Sequence, residues 1–211
     1  MPNWKIHLEV GKRLNKYLNY KNDEYQEFLL GNLLPDINNA YIVKDIKIRV
    51  GHSITHFDKG KDFRHHLAFF NKYQNKILEP MYLGYYIHLY TDYIFNKNFY
   101  EMVEQRKLDY IEKEQLRLLK QHDFKVLDNK YINNNLEINN VSLMTKRITI
   151  HEVDLCENDL ENVINYLNNT PFYKGNYKIY TEKELDDLLD ETIDVIYNNI
   201  KVLFNNREKS I

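Results

Sequence analysis

His88 and Asp92 stand four positions apart in Tyr82-Leu83-Gly84-Tyr85-Tyr86-Ile87-His88-Leu89-Tyr90-Thr91-Asp92. On an α-helix that spacing stacks both side chains on one face, so an imidazole and a carboxylate point the same way. The pair suits a borderline divalent ion such as zinc, which takes His nitrogen and Asp oxygen at about 2.0 to 2.2 Å. Two ligands do not hold such an ion alone, and the upstream chain offers others. His7 lies on an apolar face with Trp4, Leu8, Val10, Leu14 and Leu18, where a histidine is either a satisfied core residue or a ligand. Asp36, in Leu33-Leu34-Pro35-Asp36-Ile37, has apolar neighbours. If buried, it needs a cation, a metal or several backbone donors, unless it serves an Asx turn or an N-cap. Gly51-His52-Ser53-Ile54-Thr55-His56-Phe57-Asp58 sets two imidazoles four apart, either as metal-binding groups or as a polar surface turn.

Helices must position these groups, and the apolar spacing supplies them. A period near 3.6 in every long segment predicts an all-α, single-domain helical bundle of about seven to nine helices, with no sheet beyond two short strands. The first helix covers about Pro2 to Leu18. A second has Asn22 or Asp23 as N-cap and stops at Pro35. Tyr41 to Val50 reads as a short helix or an extended connector. Asp62 to Ile77 is helical with Phe63, His66 or Leu67, Phe70, Tyr73 and Ile77 inward; adjacent His65 and His66 cannot both reach one site. Pro80 fits the first turn of the helix carrying His88 and Asp92, which ends near Asn96 or Asn98. Tyr100 to Lys120 forms another helix, and Asp128 to Asn140 a loop or frayed helix. His151 starts an amphipathic run to Leu167. The last helix opens at a capping box, Thr181-Glu182-Lys183-Glu184, and its stripe from Leu185 to Leu203 is core packing. One domain spans 1–211, with the metal-binding part within 3–95 and a packing part over 100–206.

Composition sets the outer bounds. The net charge of -2, from 29 basic and 31 acidic residues, argues against general nucleic-acid backbone binding. Cys156 is the only cysteine, which excludes an intrachain disulfide and a cysteine-based zinc cluster. No apolar run approaches the length of a transmembrane helix, and no basic-then-apolar leader opens the chain, so a cytoplasmic location is expected. The 18 tyrosines fit a biased genome better than a base-stacking surface. No phosphate-binding glycine loop, Ser-His-Asp constellation or dinucleotide fingerprint occurs.

Taken in order, Ile6-His7-Leu8, Asp36, Thr55-His56-Phe57-Asp58, and Tyr82-Leu83-Gly84 followed by His88 and Asp92 resemble the motifs of the zinc-dependent phospholipase C family. That family consists of helical zinc phosphoesterases and includes the single-strand-specific fungal nucleases. The resemblance covers residues 3–95. It implies that Asp36, His56, His88 and Asp92 ligate one zinc, while Asp92 bridges to a second zinc bound by His7. A bridging carboxylate holds two cations about 3.5 to 4 Å apart, a spacing that clamps both oxygens of a displaced phosphate, and water on such an ion ionises near neutral pH. The resemblance makes Asp36 the catalytic residue, orienting or deprotonating that water.

Two departures shape the expectation. Secreted members complete the second site with the amine of an N-terminal Trp, whereas Trp4 is internal; His52, or alternatively the Pro2 amine after Met removal, takes that place. Asp92 to Asn98 lacks the family's next histidine, and neither His122 nor His151 has a Glu four residues on, so two zinc ions are expected rather than three. The resemblance thus implies a metal-dependent phosphoesterase acting on a phosphorylated small molecule, a lipid head group or a nucleotide. Two other readings stand beside it. One is a different helical metallophosphohydrolase using His122-Asp123 as a ligand pair. The other is a non-catalytic, metal-containing binding module on the same helical fold.

Overall fold

The helix α6, Pro80–Gln105, is the axis against which much of the chain packs. Proline at its first turn gives up no hydrogen bond, because that N–H has no intrahelical partner in any case. Its core-facing side chains run from Met81, Leu83 and Ile87 through Phe95 to Phe99 and Met102, all buried. The computed structural model describes residues 2–58 and 64–208, with side chains described through 205. Among them the chain forms ten α-helices and a 3-10 turn, and no strand.

The N-terminal helices are α1 (Trp4–Leu18), α2 (Asn22–Gly31), α3 (Leu34–Ile37), α4 (His52–Thr55) and α5 (His65–Tyr73). After α6 come α7 (Lys113–Asp128), α8 (Val141–Arg147), α9 (Glu157–Asn168) and α10 (Glu182–Glu208). One apolar core runs from Trp4 through Phe28, Leu83 and Phe124 to Leu189 and Ile200. Each fully buried Leu, Ile or Phe in it contributes about 1.5 to 3 kcal/mol.

Two glycines fix the closest crossing. A Cβ on Gly84 would stand 2.2 Å from the Phe28 carbonyl oxygen, and one on Gly31 would stand 2.2 Å from the Met81 carbonyl oxygen. Only hydrogen side chains let α2 and α6 approach so closely, and that approach carries the Asn32 backbone to within reach of His88.

The all-helical expectation matches these residues, but several boundaries differ. The helix count exceeds nine because Leu34–Ile37 and His52–Thr55 each close a single turn. Pro35 does not stop α2, which ends at Gly31; it occupies the first turn of α3. α6 runs past Asn96 and Asn98 to Gln105, since neither asparagine breaks a helix whose buried stripe continues. The break falls instead at Arg106 to Glu112, where Lys107 takes a left-handed φ of 54°. Residues 41–50 form no regular element; Asn38 holds the Ile48 carbonyl and both backbone groups of Asp154. The run expected from His151 becomes helical only at Glu157. The capping box is as expected: the Thr181 amide donates to Glu184 Oε2, and the Glu184 amide donates to Thr181 Oγ1. The expected helix start at Asp62 and the inward Phe63 lie outside the described residues.

Candidate metal centre

Five side chains from four parts of the chain meet on one side of α6. His88 and Asp92 come from α6 itself, His7 from the first turn of α1, Asp36 from α3, and His56 from the residue that closes α4. All five are buried, with Asp36 and Asp92 the most exposed at 4 %. His7 Nε2 lies 3.5 Å from Asp92 Oδ1, while His56 Nε2 and His88 Nε2 each lie 3.5 Å from Asp92 Oδ2. Asp36 faces the same pair of imidazoles, with Oδ1 3.4 Å from His56 Nε2 and Oδ2 4.0 Å from His88 Nε2.

The far sides of two rings are tied down. His88 Nδ1 is 2.8 Å from the Asn32 carbonyl oxygen, which can only accept, so the proton sits on Nδ1 and the Nε2 lone pair faces Asp36 and Asp92. Thr55 Oγ1 donates to the His52 carbonyl and therefore accepts from His56 Nδ1 at 3.0 Å, which turns Nε2 inward again. His7 stacks on His88 with ring centroids 3.8 Å apart. Asn39 Nδ2 donates to Asp36 Oδ1. The buried Nε2 atoms of His7, His56 and His88 and both oxygens of Asp92 have no hydrogen-bond partner. Outward anchors with unpaired inward atoms are what metal-ligating histidines display.

Electrostatics follow from this crowding. Burial, reinforced by the neighbouring His88, lowers His7 to about 4, so it is neutral near pH 7. Burial works against ionised Asp36 and Asp92, yet the surrounding imidazoles win: Asp36 falls to about 2, and Asp92 drops well below the carboxylate range. Burial disfavours His56⁺ too, but the two carboxylates outweigh it and raise His56 to about 9. Two ionised acids in a buried cluster thus draw positive charge toward themselves.

Two trios have ligand atoms within 4.8 Å of one another: His7, His88 and Asp92; and Asp36, His56 and His88. Each contains His88. The expected partition placed His88 with Asp36, His56 and Asp92 only.

His52, expected to complete the second site, joins neither trio. α4 is a single turn, and His52 lies flat on the His56 ring, with centroids 3.8 Å apart and planes 10° from parallel. Half-buried there, with Tyr41 6.2 Å away, it stacks on a member of the cluster.

Of the other histidines, His66 stacks on Tyr90 and belongs to neither trio, and neither does His65. The His122-Asp123 pair serves packing instead: His122 Nδ1 meets the Tyr173 hydroxyl and Nε2 the Asn176 carbonyl. Asp123 accepts from the amides of Lys178, Ile179 and Tyr180. One further charge near the cluster gave no sequence signal. Lys120, on α7, is buried; its Nζ donates to Asn96 Oδ1 at 3.0 Å and lies 4.3 Å from the Phe99 ring centre, one turn beyond Asp92. Burial lowers it to about 8, against the pull of Asp92. The anchors Asn32 and Thr55 also escaped sequence reading, the first because it acts through its backbone.

No helix among the described residues is long and apolar enough to cross a membrane. No protein-family model, curated protein or solved structure matches this chain, and the cluster is therefore read from its own geometry.

Proposed function

We propose that the chain is a metal-dependent phosphoesterase with two divalent ions, zinc the best fit, of the kind found in the zinc-dependent phospholipase C family. One observation carries the reading: Asp92 divides its unpaired oxygens, Oδ1 toward His7 and Oδ2 toward His56 and His88. That is the disposition a bridging carboxylate needs. Neutral imidazole nitrogens and ionised carboxylates are the donor set zinc prefers. Asp36, His56, His88 and Asp92 would hold one ion, and His7 with Asp92 the second.

When bound, such ions supply Lewis acidity toward a phosphoryl oxygen and lower the pKa of a water. The remaining work falls to the chain. Asp36, fixed by Asn39 and held ionised, accepts a hydrogen bond from the attacking water and orients it. A carboxylate near 2 is a weak base at neutral pH, so orientation rather than full proton abstraction is its role. Asn32 and Thr55 keep the imidazoles in the tautomer that presents Nε2. Lys120 adds a fixed positive charge beyond Asp92, which favours two ions over three. In hydrolysis the water oxygen bonds to phosphorus, the P–O bond to the leaving group breaks, and the water proton reaches the departing oxygen.

The burial of all five ligands supports a second reading, a binding module whose metal is structural. Hydrolysis of bis(p-nitrophenyl) phosphate and p-nitrophenyl phosphate by zinc-loaded protein separates the two. The enzyme reading expects turnover that is abolished by a chelator, restored by zinc and lost in Asp36→Asn. Metal retention without turnover of either ester supports the binding module instead.

A further inference from the structure

Among the described residues two lysines are buried, Lys5 at 2 % exposure and Lys120 at 7 %, and the fold provides for them differently. Lys5 gives its ammonium to the carbonyls of Ile132, Asn134 and Leu167 and to Asn135 Oδ1. Lys120 has a single hydrogen-bond acceptor, Asn96 Oδ1 at 3.0 Å, and the face of Phe99, whose ring centre is 4.3 Å from its Nζ. No carboxylate among the described residues pairs with it directly. An ammonium carries three N–H donors, and a lysine is almost never buried without a paired acid. Hydrogen bonding and pairing within the fold therefore do not account for this charge.

The two contacts fix where the charge stands. Asn96 and Phe99 follow Asp92 by four and seven positions on α6, so they continue the stripe that carries His88 and Asp92. One helical turn rises about 5.4 Å, which sets the ammonium about one to two turns along that stripe from Asp92, the acid whose charge acts on it. At that range, and buried, the charge is only weakly screened. It opposes a divalent ion held by Asp92 and favours an anion bound to that ion. The attraction grows with the charge of the anion. A phosphomonoester carries about -1.5 to -2 near pH 7, whereas a phosphodiester carries a single negative charge.

We propose that Lys120 is a positioning residue of the metal centre, which lowers its affinity for metal, raises its affinity for a phosphoryl dianion, and so directs the site to phosphomonoesters over phosphodiesters. The inference rests on the metal reading of the five-residue cluster and adds to it the charge class of the substrate. Lys120 acts through its field on the ions that Asp92 and its partners hold, and it ligates none of them.

Two neutral variants of the full chain test this. Lys120→Gln keeps an N–H for Asn96 Oδ1 and removes the charge, while Lys120→Met removes both. Zinc affinity at pH 7 is measured by competition with a chromophoric chelator, and binding of methyl phosphate and of dimethyl phosphate to the zinc-loaded protein is measured by calorimetry. In both variants zinc should bind at least about threefold more tightly and methyl phosphate at least about tenfold more weakly, with a smaller loss for dimethyl phosphate. Opposite signs for cation and anion are the mark of a charge, since a packing role moves both affinities the same way or neither. Zinc affinity that is unchanged or weaker in the variants, methyl phosphate bound as tightly as by the wild type, or an equal loss for the two phosphates overturns the proposal. So does failure of both variants to fold, which assigns Lys120 to the fold instead. A wild-type chain that binds no zinc overturns the metal reading, and this inference with it.

Discussion

Asp92 and Asp123 are both buried aspartates on helices, and they are treated in opposite ways. Asp123, in the C-terminal half, accepts three backbone N–H groups and closes the segment leading into α10. Asp159 is used similarly, taking the Lys47 amide at 2.7 Å and the more distant amides of Ile48 and Cys156. Asp92, in the N-terminal half, faces the Nε2 atoms of His7, His56 and His88, and both its oxygens lack a hydrogen-bond partner among the described residues. A carboxylate saturated by its own backbone has its role in the fold. One left without a hydrogen-bond partner among imidazole nitrogens is arranged for something the chain itself does not contain.

The sharpest way to break this contrast is to disturb the crossing that serves the N-terminal cluster. Gly84→Ala puts a methyl against the Phe28 carbonyl, and we expect a loss of about 3 kcal/mol or more in urea unfolding, with metal binding lost as Asn32 moves from His88. Next comes Asp123→Ala, which strands three amides. It should cost about 2 to 4 kcal/mol in the same measurement while bound zinc stays at the wild-type level. Asp92→Asn should differ in the zinc it holds. Bound metal should fall by at least one equivalent, and the metal-free protein should also lose stability, because the substitution takes the counter-charge away from protonated His56. An Asp92→Asn variant that keeps every bound equivalent would erase the distinction between the two aspartates.

Acidity sharpens the same comparison at smaller cost. Without metal, His56 is raised to about 9 and binds a proton at neutral pH, whereas a ligand must present a bare Nε2. Metal affinity should therefore rise with pH up to about 9, by up to about tenfold per unit where a single proton is displaced. Calorimetry in buffers of different ionisation enthalpy counts that proton. The smallest effect is expected for His52→Ala, which should keep all bound zinc because His52 joins neither ligand trio and stacks on His56. Loss of an equivalent there would restore it as a ligand.

Much of this was legible in the sequence. The four-residue spacing of His88 and Asp92 placed both on one face of a helix, and the 3.6 period foretold an all-helical chain. His7 stood out as a polar group on an apolar stripe, and Asp36 as an acid among leucines. His52 has the same spacing to His56 as His88 has to Asp92, yet it joins neither trio. In a one-turn helix the same spacing stacks two rings, whereas in α6 it aims an imidazole and a carboxylate at a common point. The end of α6 was misplaced because asparagine is a weak breaker, and the buried contacts of Phe95, Phe99 and Met102 override it. The Asn32 carbonyl and the Lys120 ammonium were invisible, one because it is backbone and the other because α7 delivers it from 28 positions beyond Asp92.

Elemental analysis of the protein after zinc loading and removal of free metal tests the central claim directly. The account predicts two zinc equivalents per chain in the wild type, one in His7→Ala, and fewer than one in His88→Ala. Wild-type protein that emerges with no zinc, or a His88→Ala variant that retains both equivalents, would contradict it.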